Sequence, residues 1–213
     1  EQTSFIANLA LGNYTCTITD ENSCTTKKII FITQPSTINA NILKNNITCY
    51  GLTNGSATVT PFGGVGGYTY SWSPSSATTS SISNLASGAY SCTITDGNLC
   101  SVTKTLSITE PSTLVVSASS NSIACFGGVT TITVSGSGGT IPYTGIGNYT
   151  VSAGINTFTV TDSKGCVSTN SIMLTQPSIL QTSISSSTIT CHGAATTLTV
   201  NVSGGTAPYI GAT

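Results

Sequence analysis

Arginine is absent from this 213-residue chain, and charge of either sign is scarce: five Lys face six Asp and Glu, 5% of all residues. No basic face is therefore available for nucleic acid, and no Lys/Arg cluster for an anionic membrane surface. Catalytic furniture is equally thin. No pair of carboxylates recurs, no GxSxG elbow occurs, and Gly63-Gly64-Val65-Gly66-Gly67 is followed by neither the helix nor the lysine of a phosphate loop. The single histidine, His192, stands where its sister turns carry Tyr50 and Phe126, which reads as a loop side chain rather than a base. The chain is expected to be no enzyme and to need no cofactor. Apolar runs such as residues 29–32 fall far below the roughly 20 residues of a membrane-spanning helix, so no membrane insertion is expected. Glu1-Gln2-Thr3-Ser4 lacks the charged start and apolar stretch of a signal peptide.

What the chain does have is Ser, Thr, Asn and Gly, with Val, Ile, Thr and Tyr alternating among them. Disordered segments of polar composition usually carry high net charge and few β-branched residues. Here the net charge is −1 and the alternation has the period of a half-buried strand, so folded β structure is expected. Eight Cys point to an oxidising compartment. Zinc is the rival, but no CxxC occurs and Cys191-His192 has no second pair nearby.

Three landmarks recur. A Cys-x-Gly turn appears at Cys49-Tyr50-Gly51, Cys125-Phe126-Gly127 and Cys191-His192-Gly193. A phrase of the type CTITDENSC ends at Cys24, Cys100 and Cys166. A Gln/Glu-Pro-Ser closes each unit at Gln34, Glu110 and Gln176. The spacing is 76 residues from Cys49 to Cys125 and 66 from Cys125 to Cys191. Such a period means tandem domains, and a proline without an N–H is a natural strand terminator between them. The expected domains are 1–35, the C-terminal part of a repeat; 36–111, a full repeat; 112–177, a full but shorter repeat; and 178–213, the N-terminal part of a repeat. Because the chain starts and ends inside a repeat, it is expected to be a stretch of a longer array. The alternative is that the two partial repeats complement one another between chains, giving a filament.

Inward positions keep their place in each copy: Ile38, Ala40 and Ile42; Leu114, Val116 and Ala118; Leu180, Thr182 and Ile184. Ile47, Ile123 and Ile189 precede the Cys-x-Gly turns, and Ile30 and Ile32, Leu106 and Ile108, Ile172 and Leu174 close the repeats. One apolar face at period two, short strands and glycine-rich turns give an all-β fold of tandem Ig-like β-sandwich domains arranged end to end. Tyr68, Tyr70 and Trp72 alternate in the first full repeat, with Trp72 as its large core aromatic.

Cys16, Cys92 and Phe158 share one inward position of the phrase. A slot that takes Phe or Cys is apolar, so Cys16 and Cys92 are expected to be buried free thiols; bridges Cys16–Cys24 and Cys92–Cys100 are the rival. The disulfide candidates are then Cys49, Cys100, Cys125 and Cys166, with Cys24 and Cys191. Closure within repeats would pair Cys49 with Cys100 and Cys125 with Cys166. The constant spacing of 25 residues from Cys24 to Cys49, Cys100 to Cys125 and Cys166 to Cys191 allows a different set, and sequence alone does not decide connectivity. Asp20, Asp96 and Asp162 open the loop of each phrase; they are expected to hold the turn by accepting backbone N–H groups, with calcium as the rival. Five Asn-x-Ser/Thr sites, the first at Asn13, fit the N-glycan acceptor pattern, which chance supplies in so Ser/Thr-rich a chain.

The order of an Ile-Thr-Cys-x-Gly turn, a Gly-Gly-x-x-Pro-Tyr strand, the "NLASGAY" approach, the Thr-x-Thr-Asp-x-x-x-Cys phrase and a closing Gln/Glu-Pro resembles the SprB repeat of giant surface adhesins from gliding Bacteroidota. Cys49, Gly51, Tyr68, Trp72, Leu85, Gly88, Tyr90, Asp96 and Cys100 stand at its matching positions; the second copy departs by lacking the Trp-containing middle. The resemblance implies sandwiches of the PKD/SprB type, export by the type IX secretion system, an extracellular cell-surface location, and attachment and gliding motility. Its implied partners are neighbouring repeats of one long chain and the secretion and gliding machinery, with surface polysaccharide a further expectation from the Ser/Thr-rich exterior. The alternatives are a binding or spacer module of a large secreted enzyme, or a subunit of an extracellular filament.

Overall fold

The structure, a computed structural model, describes residues 4–211; Glu1-Gln2-Thr3, on which the reading of a leader rested in part, lie outside them. The described residues form sixteen strands and no helix. In chain order these are β1 (Gly12–Thr19), β2 (Thr25–Ile32), β3 (Asn39–Asn45), β4 (Gly55–Phe62), β5 (Thr69–Ser73), β6 (Ser81–Leu85), β7 (Gly88–Thr95), β8 (Ser101–Ile108), β9 (Val115–Ser120), β10 (Val129–Ser137), β11 (Tyr143–Thr144), β12 (Gly147–Ser152), β13 (Gly154–Asp162), β14 (Val167–Leu174), β15 (Gln181–Ser186) and β16 (Leu198–Ser203). The protein is all-β. It divides into two units: Glu1–Asn46 with Gly55–Ile108, and Ile47–Asn54 with Thr109–Thr213.

The first unit contains a sandwich of two three-stranded antiparallel sheets, ordered β3-β4-β6 and β5-β7-β8. Alternation places Ile38, Ala40, Ala57, Val59, Ile82 and Leu85 inside from one sheet, and Trp72, Cys92, Ile94 and Ile108 inside from the other. Trp72 lies opposite Cys92 in the β5–β7 register, and its indole N–H donates to the Thr79 carbonyl at 2.8 Å. A buried ring thus keeps its one polar atom satisfied. Cys92 is a buried free thiol whose pKa burial pushes up, against a smaller lowering by a backbone hydrogen bond at Ser71. Within β7, two residues before Cys92, the Tyr90 hydroxyl donates to the Ala86 carbonyl, four residues back, at 3.1 Å. This is the tyrosine corner of Greek-key sandwiches.

The second unit repeats the plan with sheets β9-β10-β12 and β11-β13-β14. Its core is Leu114, Val116, Ile123, Ile132, Val134, Phe158, Val160 and Leu174. Phe158 fills the slot that Cys92 holds in the first unit and packs at a tilt on Tyr149, with ring centroids 5.2 Å apart. The middle crossing is shorter here: β11 has two residues where β5 has five.

Two hairpins remain. β1–β2 keeps the register of β7–β8, with Gly12 opposite Ile32 as Gly88 is opposite Ile108. β15–β16 keeps that of β9–β10, with Leu198 opposite Ser186 as Ile132 is opposite Ser120. Their inward residues were expected in a core; Ile18, Ile30, Ile184 and Ile189 are instead exposed. So is Cys16, expected to be buried. The cause is the same throughout: each hairpin is one half of a sandwich, and among the described residues no second sheet covers its apolar face.

A shared latch precedes each middle strand. The hydroxyls of Tyr68, Tyr143 and Tyr209 donate to the carbonyls of Gly63, Gly138 and Gly204, five residues back, at 2.6, 2.5 and 2.6 Å. Each of these glycines has positive φ, and a Cβ on Gly138 would lie 2.0 Å from the Thr113 carbonyl oxygen. Gly127 has nearly the same φ, +73° against +75°, with nothing within 4 Å of a Cβ. Gly127→Ala is expected to cost about 1–2 kcal/mol of backbone strain. Gly138→Ala is expected to cost that and the collision besides, leaving it distinctly the less stable of the two in urea denaturation. Equal midpoints for the two variants would show that the latch loop tolerates displacement.

Candidate functional site

Asp96 and Asp162 are the buried charged side chains among the described residues, 4% and 5% exposed. Each sits at the end of a phrase strand, where the chain turns into the last strand of its sandwich. Asp162 Oδ1 accepts the N–H groups of Lys164 and Cys166 at 2.8 and 2.9 Å, and Oδ2 accepts the Thr140 N–H at 2.8 Å. Asp96 repeats this with Asn98 and Cys100 at 2.9 Å on Oδ1 and Val65 at 3.0 Å on Oδ2. One carboxylate therefore closes its own turn and pins the Gly-Gly loop at the same pole.

These contacts set the protonation. The Val65 N–H holds the Asp96 carboxyl below its ordinary value of 3.8, with burial opposing and the Cys100 and Asn98 N–H groups assisting. For Asp162, burial is the largest influence and pushes upward, but the N–H groups of Cys166, Thr140, Lys164 and Gly165 together outweigh it. Oxygens surrounded by N–H donors are arranged for a carboxylate, not for a cation. Among the described residues no group of three or more His, Cys, Asp or Glu could hold a metal ion. Asp20 accepts the Cys24 N–H at 2.7 Å in its exposed hairpin.

The sulfur bridge lies at the Asp162 pole of the second unit. Cys49 is bonded to Cys166, with Cα atoms 5.6 Å apart and a sequence separation of 117. This corrects the closure expected within repeats, Cys49–Cys100 and Cys125–Cys166: Cys100 and Cys125 are free and exposed, as are Cys24 and Cys191. The physical reason is where the turn is held. Residues 47–54 belong to the second unit although their neighbours on both sides belong to the first. There the Ile47 N–H donates to the Thr109 carbonyl at 3.0 Å, and Ile47 itself is buried. The Gly51 N–H donates to a carboxylate oxygen of Glu110 at 2.7 Å. Cys49 is thereby carried to the Asp162 turn and away from the Cys of its own repeat.

Glu110 was read only as the residue before a strand-ending proline. Its side chain has a second duty, and Gln176 has the same one: it accepts the Gly127 N–H at 2.8 Å. The signal was present as the recurrence of Gln or Glu before the Pro-Ser that closes each repeat, at Gln34, Glu110 and Gln176. His192 is exposed in its turn.

The segment that carries Cys49, Gly51, the Gly-Gly loop, Tyr68 and Trp72 is also matched by a family model. The family model of the SprB repeat matches residues 44–77. Residues 44–77 form part of a SprB repeat. SprB repeats belong to cell-surface, adhesin-type repeat proteins. Comparison with curated protein sequences finds no match. Within the matched SprB repeat, the Cys-x-Gly turn supplies the bridging sulfur and the Gly-Gly loop supplies the surface onto which the aspartate folds.

Two outcomes follow from this geometry. A carboxyl whose folded pKa is lowered stabilises the fold above its unfolded pKa and loses that contribution as pH falls through the folded value. The melting temperature is expected to hold from neutrality to about pH 4.5 and then to fall; Asp96→Asn with Asp162→Asn is expected to melt lower at pH 7 and to lose much of the acid dependence, followed by scanning fluorimetry across pH. Cys49→Ser is expected to destabilise the second unit by about 2–5 kcal/mol, matching wild type in reductant. Non-reducing peptide mapping of wild type should return a Cys49–Cys166 peptide, and a Cys49–Cys100 peptide would contradict the bridge.

Proposed function

We propose that this chain is an extracellular, non-catalytic segment of a cell-surface adhesin, displayed through the type IX secretion system and serving surface attachment and gliding motility. The single observation that carries the reading is the SprB repeat match on residues 44–77, seated on sandwiches whose carboxylates are engaged in turns. Catalysis would need an acid, base or nucleophile free to act. Asp96 and Asp162 are occupied by backbone N–H groups and the thiol of Cys92 is buried.

The outer faces support contact with neutral polymers. Hydroxyl pairs cross the strands at Thr58–Ser81, Thr93–Thr103, Ser117–Ser135 and Thr157–Ser171, all within 2.8–2.9 Å. A shallow cleft lined by Ser119, Ser120, Asn121, Thr131 and Thr133 returns 66 residues later with Ser185, Ser186, Ser187, Thr197 and Thr199. Such surfaces hydrogen-bond to polysaccharide hydroxyls with low specificity, and their near-neutral charge leaves binding insensitive to salt.

Antibody raised to the chain is expected to label intact cells, and beads coated with it are expected to be retained on polysaccharide-coated glass at both 50 mM and 500 mM salt. Unlabelled intact cells would refute surface display. Retention no better than that of uncoated beads would refute adhesion by this segment.

A further inference from the structure

The connectivity of the sulfur bridge has a mechanical meaning. Cys49–Cys166 closes a ring over residues 50–165, with a sequence separation of 117. Every strand of the first sandwich except β3 lies inside that ring, as does every strand of the second except β14. A chain pulled at points before Cys49 and after Cys166 passes its tension through the sulfur–sulfur bond and not along the residues of the ring. Closure within repeats, Cys49 with Cys100 and Cys125 with Cys166, would instead put β8 and β9 in the load path.

The two strands left outside the ring are suited to carry tension. β3 is an outer strand of β3-β4-β6, and β14 an outer strand of β11-β13-β14. Each is paired along its whole length: Asn39 to Asn45 against Phe62 to Ser56, and Val167 to Leu174 against Thr161 to Gly154. A β-strand rises about 3.2–3.4 Å per residue, and a fully stretched chain about 3.3–3.6 Å. A strand pulled end to end therefore has almost no length to gain. Force favours a transition in proportion to the length it releases, so tension does little work in detaching β3 or β14. The ring is the opposite case. Its 117 chain steps would span about 400 Å if freed, against 5.6 Å between the bridged Cα atoms.

Both cysteines sit in turns fastened by hydrogen bonds, so the bridge has little slack to take up. On the Cys49 side, the Thr48 N–H donates to Asn54 Oδ1 at 3.2 Å and Asn54 Nδ2 donates to the Thr48 hydroxyl at 2.7 Å. The Gly51 N–H is held by Glu110. On the other side, the Cys166 N–H donates to Asp162 Oδ1. We propose that the bridge is a tension bypass. Pulling on the chain loads β3, Cys49–Cys166 and β14 in series and leaves the remainder of both sandwiches out of the load path. Both sandwiches then stay folded at loads that open the reduced protein. The usefulness of the device rests on the surface-attachment reading, in which the chain is pulled; the bypass itself follows from connectivity and is read without any adhesion.

The test stretches the 213-residue chain in optical tweezers between handles fused to its two ends, with and without dithiothreitol. Dithiothreitol cleaves the bridge to two thiols as its own two thiols close to a disulfide. Fluorescence of Trp72, the single tryptophan and buried in the first sandwich, reports folding before load is applied. The oxidised chain is expected to release only the short lengths outside the ring. The reduced chain is expected to release about 400 Å more at loads the oxidised chain withstands. Cys49→Ser is expected to release that length without reductant. Cys100→Ser with Cys125→Ser keeps the bridge and is expected to match oxidised wild type. Full release of the ring from oxidised wild type, a reduced chain that yields no more length than the oxidised one, or loss of shielding in the Cys100→Ser, Cys125→Ser variant would each overturn the proposal. No polysaccharide enters these readings, so their failure is distinguishable from a failure of adhesion.

Discussion

Burial of one sheet face against another is the constraint on which this protein depends. With 5% charged residues there are few ion pairs to invoke, and each sandwich coheres through the meeting of two apolar faces. Where both faces are present, Ile94, Ile132 and Val160 are removed from water altogether. Where only one is present, residues with the same strand register and the same neighbours in sequence lie open. The contrast between β7–β8 and β1–β2 isolates that one variable within a single chain.

Buried polar groups shape the poles. A buried carboxylate is costly unless every oxygen finds donors. Asp96 and Asp162 find them in backbone N–H groups of two loops, and so fasten the phrase turn to the Gly-Gly loop. The tyrosine latches, the tyrosine corner at Tyr90 and the side chains of Glu110 and Gln176 act in the same manner, joining a side chain to a backbone group nearby in the fold. Four different residue types thus perform one task, which is to hold loops whose own sequences are mostly Gly and Ser.

The structural unit is not the sequence repeat. Residues 47–54 leave the unit of their flanking strands and enter the next, where Ile47 is buried and Cys49 meets Cys166. A bridge with this connectivity links one repeat to its successor covalently, and a disulfide confined to one repeat would not.

Much of this was legible in the residues alone. Period-two alternation located the inward faces, since strand geometry sends every second side chain to the same side; Ile38, Val116, Ile132 and Trp72 could be placed without coordinates. The pairing of Cys49 was not legible, because spacing along a chain says nothing about which pole of which sandwich a turn is held against. Nor was the exposure of Ile18 and Cys16, whose local sequence equals that of the buried Ile94 and Cys92. Local pattern dictates which face of a strand is apolar; only the folded arrangement decides whether a second face arrives to cover it, because burial belongs to the pair and not to either member.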